Sequence, residues 1–469
     1  MNILDAFIRN VSGHPLRTAI IDGRDAETTY VALSERAAAL ASTWTKAGLA
    51  KGDRVLIALR VDADLYASLA ALWSIGAVAV LPEPALGRAG LWEAVRATSP
   101  RALLTNGTYR LLPLISNSIR RIPLRLGMTP DERAGPLRPV DLDEDHHALI
   151  SFTSGSTGRP KAIARSHGFL HAQDAAVGPL LRTERCNVDL VGFPVFVVSA
   201  LGRGDTSVLP CWSTGSPNDA DPESIRRRCD MHSVHRLLLN PAVAERMTAA
   251  PAPRSLETLF VGGGPVFPDL VQRLVEWAPH LTVVPVYGST ESEPIAHHAM
   301  TRGSRPIDEA DAGLMAGHVA DGTRVRIVDD EIQVAGAHVV RGYLDPAQDA
   351  TTKVQDAEGT IWHRTGDAGR IDAEGRLRLL GRTSSRVCNL WPFLVEARAR
   401  TWPGVRRCAL VKVQGDPMIA IEGDRRHQAE WNARFRAMGG ECALHVRRMP
   451  VDARHGSKID MRSLERLLS

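Results

Sequence analysis

The run Ser151-Phe-Thr-Ser-Gly-Ser-Thr-Gly-Arg-Pro-Lys161 is the strongest local chemical signal in the chain. Glycines let backbone amides approach an anion. The hydroxyls of Thr153, Ser154, Ser156 and Thr157 around Gly155 and Gly158 add donors, so a polyphosphate is the natural guest. A Walker A loop needs Lys directly after its last Gly and then Ser or Thr; Arg159-Pro160 stands before Lys161, which excludes a kinase-type P-loop. Only six of the 57 basic residues are lysines, so each lysine, Lys161 and Lys458 included, merits attention. His297-His298 follow Glu291 closely without an H-E-x-x-H spacing, which argues against zinc. Arg226-Arg-Arg228 reads as the solvated face of a helix that starts near Pro222.

The elements that must carry these residues alternate between helical and strand-like. The pattern predicts a helix over 29–48, a strand over 54–59, a helix over 91–98 and a strand over 102–105, the alternation of a parallel sheet. Seventeen uncharged residues, 65–81, approach membrane-span length, but Ser and Gly interrupt them. They read as a buried helix over 62–74, a turn at Gly76 and a buried strand stopped by Pro82. A second α/β series, 190–286, has strands at 237–239, 258–261 and 282–286, and beyond Ala299 hairpins take over, around Asp329-Asp330 and Glu374-Gly375. The last 88 residues suffice for a small domain, with a boundary at Gly381-Arg382, giving domains 1–381 and 382–469. At 469 residues and 44% apolar content the chain exceeds one core, and a net charge of +4 without charge runs argues against nucleic acid as a partner. Six scattered cysteines and an amino terminus without a basic-then-apolar leader point to reduced thiols and the cytoplasm.

Five segments together resemble the adenylate-forming superfamily of acyl-CoA synthetases, peptide-synthetase adenylation domains and luciferases. They are Thr153 to Lys161, Val286-Tyr-Gly-Ser-Thr-Glu291, Arg364-Thr-Gly-Asp367, Gly381-Arg382 and Gly456-Ser-Lys458-Ile-Asp, in the family's order over nearly the whole chain. The resemblance implies a large amino-terminal domain of two doubly wound α/β subdomains and a distorted β-barrel. It also implies a small α+β lid, with the nucleotide between them. It implies that a carboxylic acid reacts with ATP and Mg²⁺ to give acyl-AMP and pyrophosphate. Like charges meet in that reaction, so the site must neutralise and align them. On the resemblance, Glu291 holds Mg²⁺, Thr290 donates to the α-phosphate, and Asp367 accepts from the ribose hydroxyls. Tyr287 stacks on adenine beside Gly262-Gly263-Gly264-Pro265, with Gly288 and Ser289 in the same segment and Arg382 at the hinge. Lys458 reaches the oxygens between acyl group and phosphate, and Lys161 shapes the phosphate loop. Two of six lysines thus fall at the ends of two family loops.

What attacks the acyl-AMP is less directly written. Ser384 occupies the hinge position where CoA-ligating members carry Asp, and no glycine follows until Gly404, which puts CoA in doubt. Pro84 to Arg88, Phe193-Pro-Val-Phe196, Ser385-Arg-Val387 and Pro450 to Lys458 are instead similar to olefin β-lactone synthetases, in which a β-hydroxyl closes on its own activated carboxyl. Ligation to CoA, a carrier-protein thiol or an amine stays open, as does a sensor of nucleotide without turnover.

Overall fold

The computed structural model describes residues 1–82, 87–130, 134–153, 160–213, 216–304, 313–452 and 458–468. Ser154, Gly155, Ser156, Thr157 and Gly158 lie outside them. The chain forms two compact units. The first comprises 1–214, 231–237 and 337–353; the second comprises 215–230, 238–336 and 354–469.

In the first unit a six-stranded sheet runs in the order Leu124–Leu126, Ala102–Thr105, Arg54–Ala58, Val78–Leu81, His147–Thr153, Lys161–Ser166. All neighbours are parallel except the last pair. Helix Tyr30–Lys46 starts where the Thr29 hydroxyl accepts from the Ala32 amide. Helix Ala63–Ile75 starts at Asp62 in the same way and stops at Gly76, whose φ of +81° suits glycine. Every residue from Leu65 to Ser74 is buried, so the apolar run is a core helix. Among the described residues no helix is long and apolar enough to cross a membrane.

In the second unit the parallel strands Thr258–Val261 and Thr282–Ser289 lead into antiparallel pairing through Ser292–His297, Leu314–Val319, Leu377–Arg382, Ile361–Ile371, Glu331–Ala335 and Arg324–Val328. This is where the resemblance implies a barrel. Among the described residues the run does not close: it ends at Arg324–Val328, whose half-exposed to exposed, arginine-bearing edge is blunted against further pairing. Asp329 and Asp330, with φ of 50° and 64°, make the tight turn expected there.

The segment after Arg382 has its own three-stranded sheet, Val405–Val413, Asp416–Gly423 and Cys442–His445. One face packs on Trp402, Trp431 and Phe435, the other on Val446, Met449 and Leu464. Helix Pro392–Ala399 buries Glu396 within that segment, where its carboxylate accepts from the Leu410 amide at 3.0 Å. Burial pushes its pKa up to about 8, against the pull of the Leu410 amide and Arg400. Arg400 in turn forks onto Asp269 of helix Pro268–Trp277 at 2.7 and 2.9 Å, its guanidinium 4.5 Å from the Phe267 ring.

Because the unfolded chain releases the Glu396 proton near 4.5 and the folded chain holds it to about 8, this group's stabilising contribution is complete below 4.5 and is lost as pH rises towards 8. Glu396→Gln, which keeps the acceptor, should stabilise the protein by about 1–3 kcal/mol at pH 8 and little at pH 5. Urea unfolding of both chains at the two pH values checks it.

Candidate active site

The segment expected to bind phosphate is rooted in the first unit. Thr153 and Lys161 sit directly opposite each other at the ends of antiparallel strands, and residues 154–159 between them lie outside the described set. Arg165 donates to the Ser151 hydroxyl at 2.8 Å and ties the two strands together by side chains as well. The Lys161 ammonium lies 4.7 Å from the Tyr343 ring centroid and that of Lys353 lies 5.3 Å from it, so a third of the chain's lysines meet at one aromatic ring. Lys353 also donates to the Val340 carbonyl.

The second unit assembles three predicted residues around one carboxylate. Asp367 accepts from the Tyr287 hydroxyl on one oxygen and from Arg382 on the other, both at 2.9 Å. Asp367 and Arg382 are register partners across adjacent strands, whereas Tyr287 comes 80 residues earlier. Asp367 lies inside the strand Ile361–Ile371 and not in a turn before a hairpin. Its amide donates to the Thr365 hydroxyl, which itself donates to the Ile332 carbonyl. Burial, then the neighbouring Asp367 charge, holds the Tyr287 hydroxyl well above the ordinary phenol range, so it stays a donor. Each Asp367 oxygen keeps a further lone-pair site, which suits a diol.

Sequence reasoning missed Glu331. It is almost fully buried, and one of its oxygens accepts from Arg364 at 2.6 Å while the other accepts from the Gly366 amide at 3.0 Å. It clamps the start of the Arg364-to-Asp367 segment; its only sequence signal is a charged residue opening an apolar strand, Glu331–Ala335. Gly366 has φ +69°, and a Cβ there would stand 2.6 Å from Arg382.

The remaining residues sit on two tips. Thr290 and Glu291, both half-buried, form the turn between Thr282–Ser289 and Ser292–His297. The hydroxyls of Ser289 and Ser292 that flank the turn are buried without hydrogen-bond partners among the described residues. Gly288 lies close to the returning strand: a Cβ would be 3.1 Å from the Ser292 carbonyl. Gly262 approaches the Val286 carbonyl in the same manner, at 3.0 Å, and Gly263 has φ +75°, which brings the glycine-rich turn against the Tyr287 strand. Gly264 and Pro265 are half-buried. His297 and His298 are half-buried too, and burial lowers the His298 pKa to about 4, keeping it neutral. Lys458 is exposed. Its amide and carbonyl bond Asp452, which closes the loop whose residues 453–457 lie outside the described set.

Among the described residues no group of three or more His, Cys, Asp or Glu could hold a metal by itself. A single half-buried carboxylate such as that of Glu291 suits a magnesium ion that arrives with phosphate oxygens of its own.

The family model described as AMP-binding enzyme matches residues 7–344. The chain belongs to the AMP-binding enzyme family. It is 30% identical to the olefin β-lactone synthetase of Stenotrophomonas maltophilia, over 94% of this chain and 91% of that one. It is 29% identical to the feruloyl-CoA synthase of an Amycolatopsis species, over 87% and 84%. The structure of the Bacillus subtilis O-succinylbenzoate coenzyme A synthetase with ATP and magnesium superposes with a TM-score of 0.78 at 20% identity, covering 96% of this chain and 97% of that one. The family's relatives are named synthetases, synthases and ligases, and the expectation of an AMP-forming ligase with a mixed α/β, two-part fold stands.

Gly366→Ala should cost about 1 kcal/mol from its left-handed backbone alone and push Arg382 off Asp367. Thermal unfolding together with nucleotide binding by calorimetry tests this; unchanged nucleotide affinity would count against the cluster as a nucleotide site.

Proposed function

We propose that this enzyme activates a β-hydroxy carboxylic acid with ATP and closes the resulting acyl-AMP to a β-lactone. The acid's carboxylate oxygen attacks the α-phosphorus as the bond to pyrophosphate breaks, leaving acyl-AMP and pyrophosphate. The β-hydroxyl oxygen then attacks the acyl carbonyl, AMP leaves, and the hydroxyl proton passes to solvent. An internal nucleophile works at high effective concentration and needs no thiol channel.

The observation that carries the first step is the Asp367 carboxylate fixed by Tyr287 and Arg382 in a chain of this family. We assign the ribose to Asp367 and the triphosphate to the loop between Thr153 and Lys161, with Ser154, Gly155, Ser156, Thr157 and Gly158 as its donors. Buried, unsatisfied Ser289 supports a polar guest beside Thr290 and Glu291. Glu291 would hold magnesium, which supplies charge neutralisation at the phosphates when bound. Exposed Lys458 would come to the developing charge between acyl group and phosphate. The lactone step is favoured over a thioester by the 30% identical relative and by the hinge run Ser384-Ser-Arg-Val, which lacks a glycine. Transfer to CoA, to a carrier-protein thiol or to an amine is the alternative reading.

The separate core of the segment after Arg382 supports a lid domain 382–469 against a body 1–381. Ser384, in the turn Thr383–Ser385, is the hinge we assign.

Pyrophosphate release with a panel of hydroxylated and plain acids tests the reading. Lys458→Ala should lower release at least about 100-fold while ATP still binds; binding without release in the unaltered protein would make it a sensor. Mass spectrometry separates a lactone from a thioester or amide. Ser384→Pro should slow product formation from pre-formed acyl-AMP about tenfold or more and leave pyrophosphate release nearly unchanged. Equal slowing of both in single-turnover kinetics would count against a hinge there.

A further inference from the structure

Outside the nucleotide cluster, the longest stretch of the chain without an acidic residue is 94–130, which carries six arginines. Within and beside it the first unit exposes large apolar side chains: Trp92 at 45%, Tyr109 at 38%, Leu111 at 57%, Leu114 at 75% and Ile115 at 52%. Four of these five fall within seven residues, on the turn Gly107–Leu111 and the short helix Leu112–Ile115. The chain then turns inward, because Ile119 and Ile122 are buried in the core of the six-stranded sheet. Burial of that anchor leaves Leu111, Leu114 and Ile115 on the outer side.

Arg88 joins Trp92 to this turn. Its guanidinium lies 5.5 Å from the Trp92 ring, and its Nη2 donates to the Ile115 carbonyl at 3.5 Å. Arg110, Arg120 and Arg121 are exposed around the same segment. Arg96 is neutralised by Glu93, and Arg125 caps the carbonyls of Ile119, Arg120 and Ile122, so these two are structural.

A contiguous apolar patch in water marks something that covers it. A second copy of the chain fits poorly, since a two-fold contact would set this arginine rim against its own image. The charge selects an anionic partner. The side-chain types narrow it further: Leu and Ile for acyl chains, Trp and Tyr for the headgroup level, Arg for phosphates. We propose that the 107–115 turn, with Trp92 and the flanking arginines, is a docking surface by which the enzyme lies on an anionic lipid bilayer. It rests on the surface only, and does not depend on which acceptor takes the acyl group.

Sedimentation of the full chain with vesicles of phosphatidylcholine, with and without phosphatidylglycerol, tests it. The expected result is binding to the anionic vesicles that drops about tenfold without phosphatidylglycerol or at high salt. Leu111→Ser with Leu114→Ser, and separately Arg110→Ser with Arg121→Ser, should each lower binding about tenfold, with pyrophosphate release and the thermal midpoint unchanged. Recovery of the protein in the supernatant with both vesicle types overturns the proposal. So does vesicle binding that neither pair of substitutions reduces, or a patch that captures an acidic soluble protein while vesicles stay bare.

Discussion

The Asp367 carboxylate is the constraint on which the rest of the second unit depends. A charged, partly buried oxygen pair needs donors on both atoms, and here the donors come from residues 80 positions before and 15 positions after it in the chain. Tyr287 can reach it only because the strand Thr282–Ser289 continues from the parallel part of the sheet into the antiparallel part. Arg382 can reach it because the pairing of Ile361–Ile371 with Leu377–Arg382 shifts by one residue between Ala368 and Gly369, and beyond that irregularity Asp367 stands directly opposite Arg382. Glu331 and the left-handed Gly366 hold the strand residues just before Asp367 in place.

The same residue, Arg382, ends the last strand before the separate core of the carboxy-terminal segment. The ion pair that fixes the ribose candidate therefore sits one residue from the turn at which that segment begins. In the arrangement seen here the segment is also fastened by the Arg400–Asp269 fork and by the edge-to-face pair Phe267–Phe393, 5.9 Å between centroids. Partly buried bidentate pairs of this sort are geometrically exacting, and any movement of the segment away from helix Pro268–Trp277 has to break this one.

Lys161 offers a different kind of constraint. A loop lysine with no neighbours would sample many rotamers, but the Tyr343 ring holds this one at the hairpin root. Tyr343 is itself buried against Ile163 and Val340, so the ring that restrains the ammonium is set by packing. The sequence offers no pattern linking residues 161 and 343.

Local chemistry in the sequence was enough to determine the motif set, the core helix behind the apolar run 65–81, the Asp329-Asp330 turn and the family. Turn residues, helix caps and glycine spacings act over a few positions and are written where they act. Tertiary structure decided what depends on register and on burial. Asp367 proved to be a strand residue with two side-chain donors, Glu331 proved to be a clamp, Glu396 proved to be a nearly neutral buried acid, and among the described residues the antiparallel run stayed open at its arginine edge. None of these follows from residue type, because desolvation and hydrogen-bond partnership are properties of the neighbours that folding brings from distant parts of the chain.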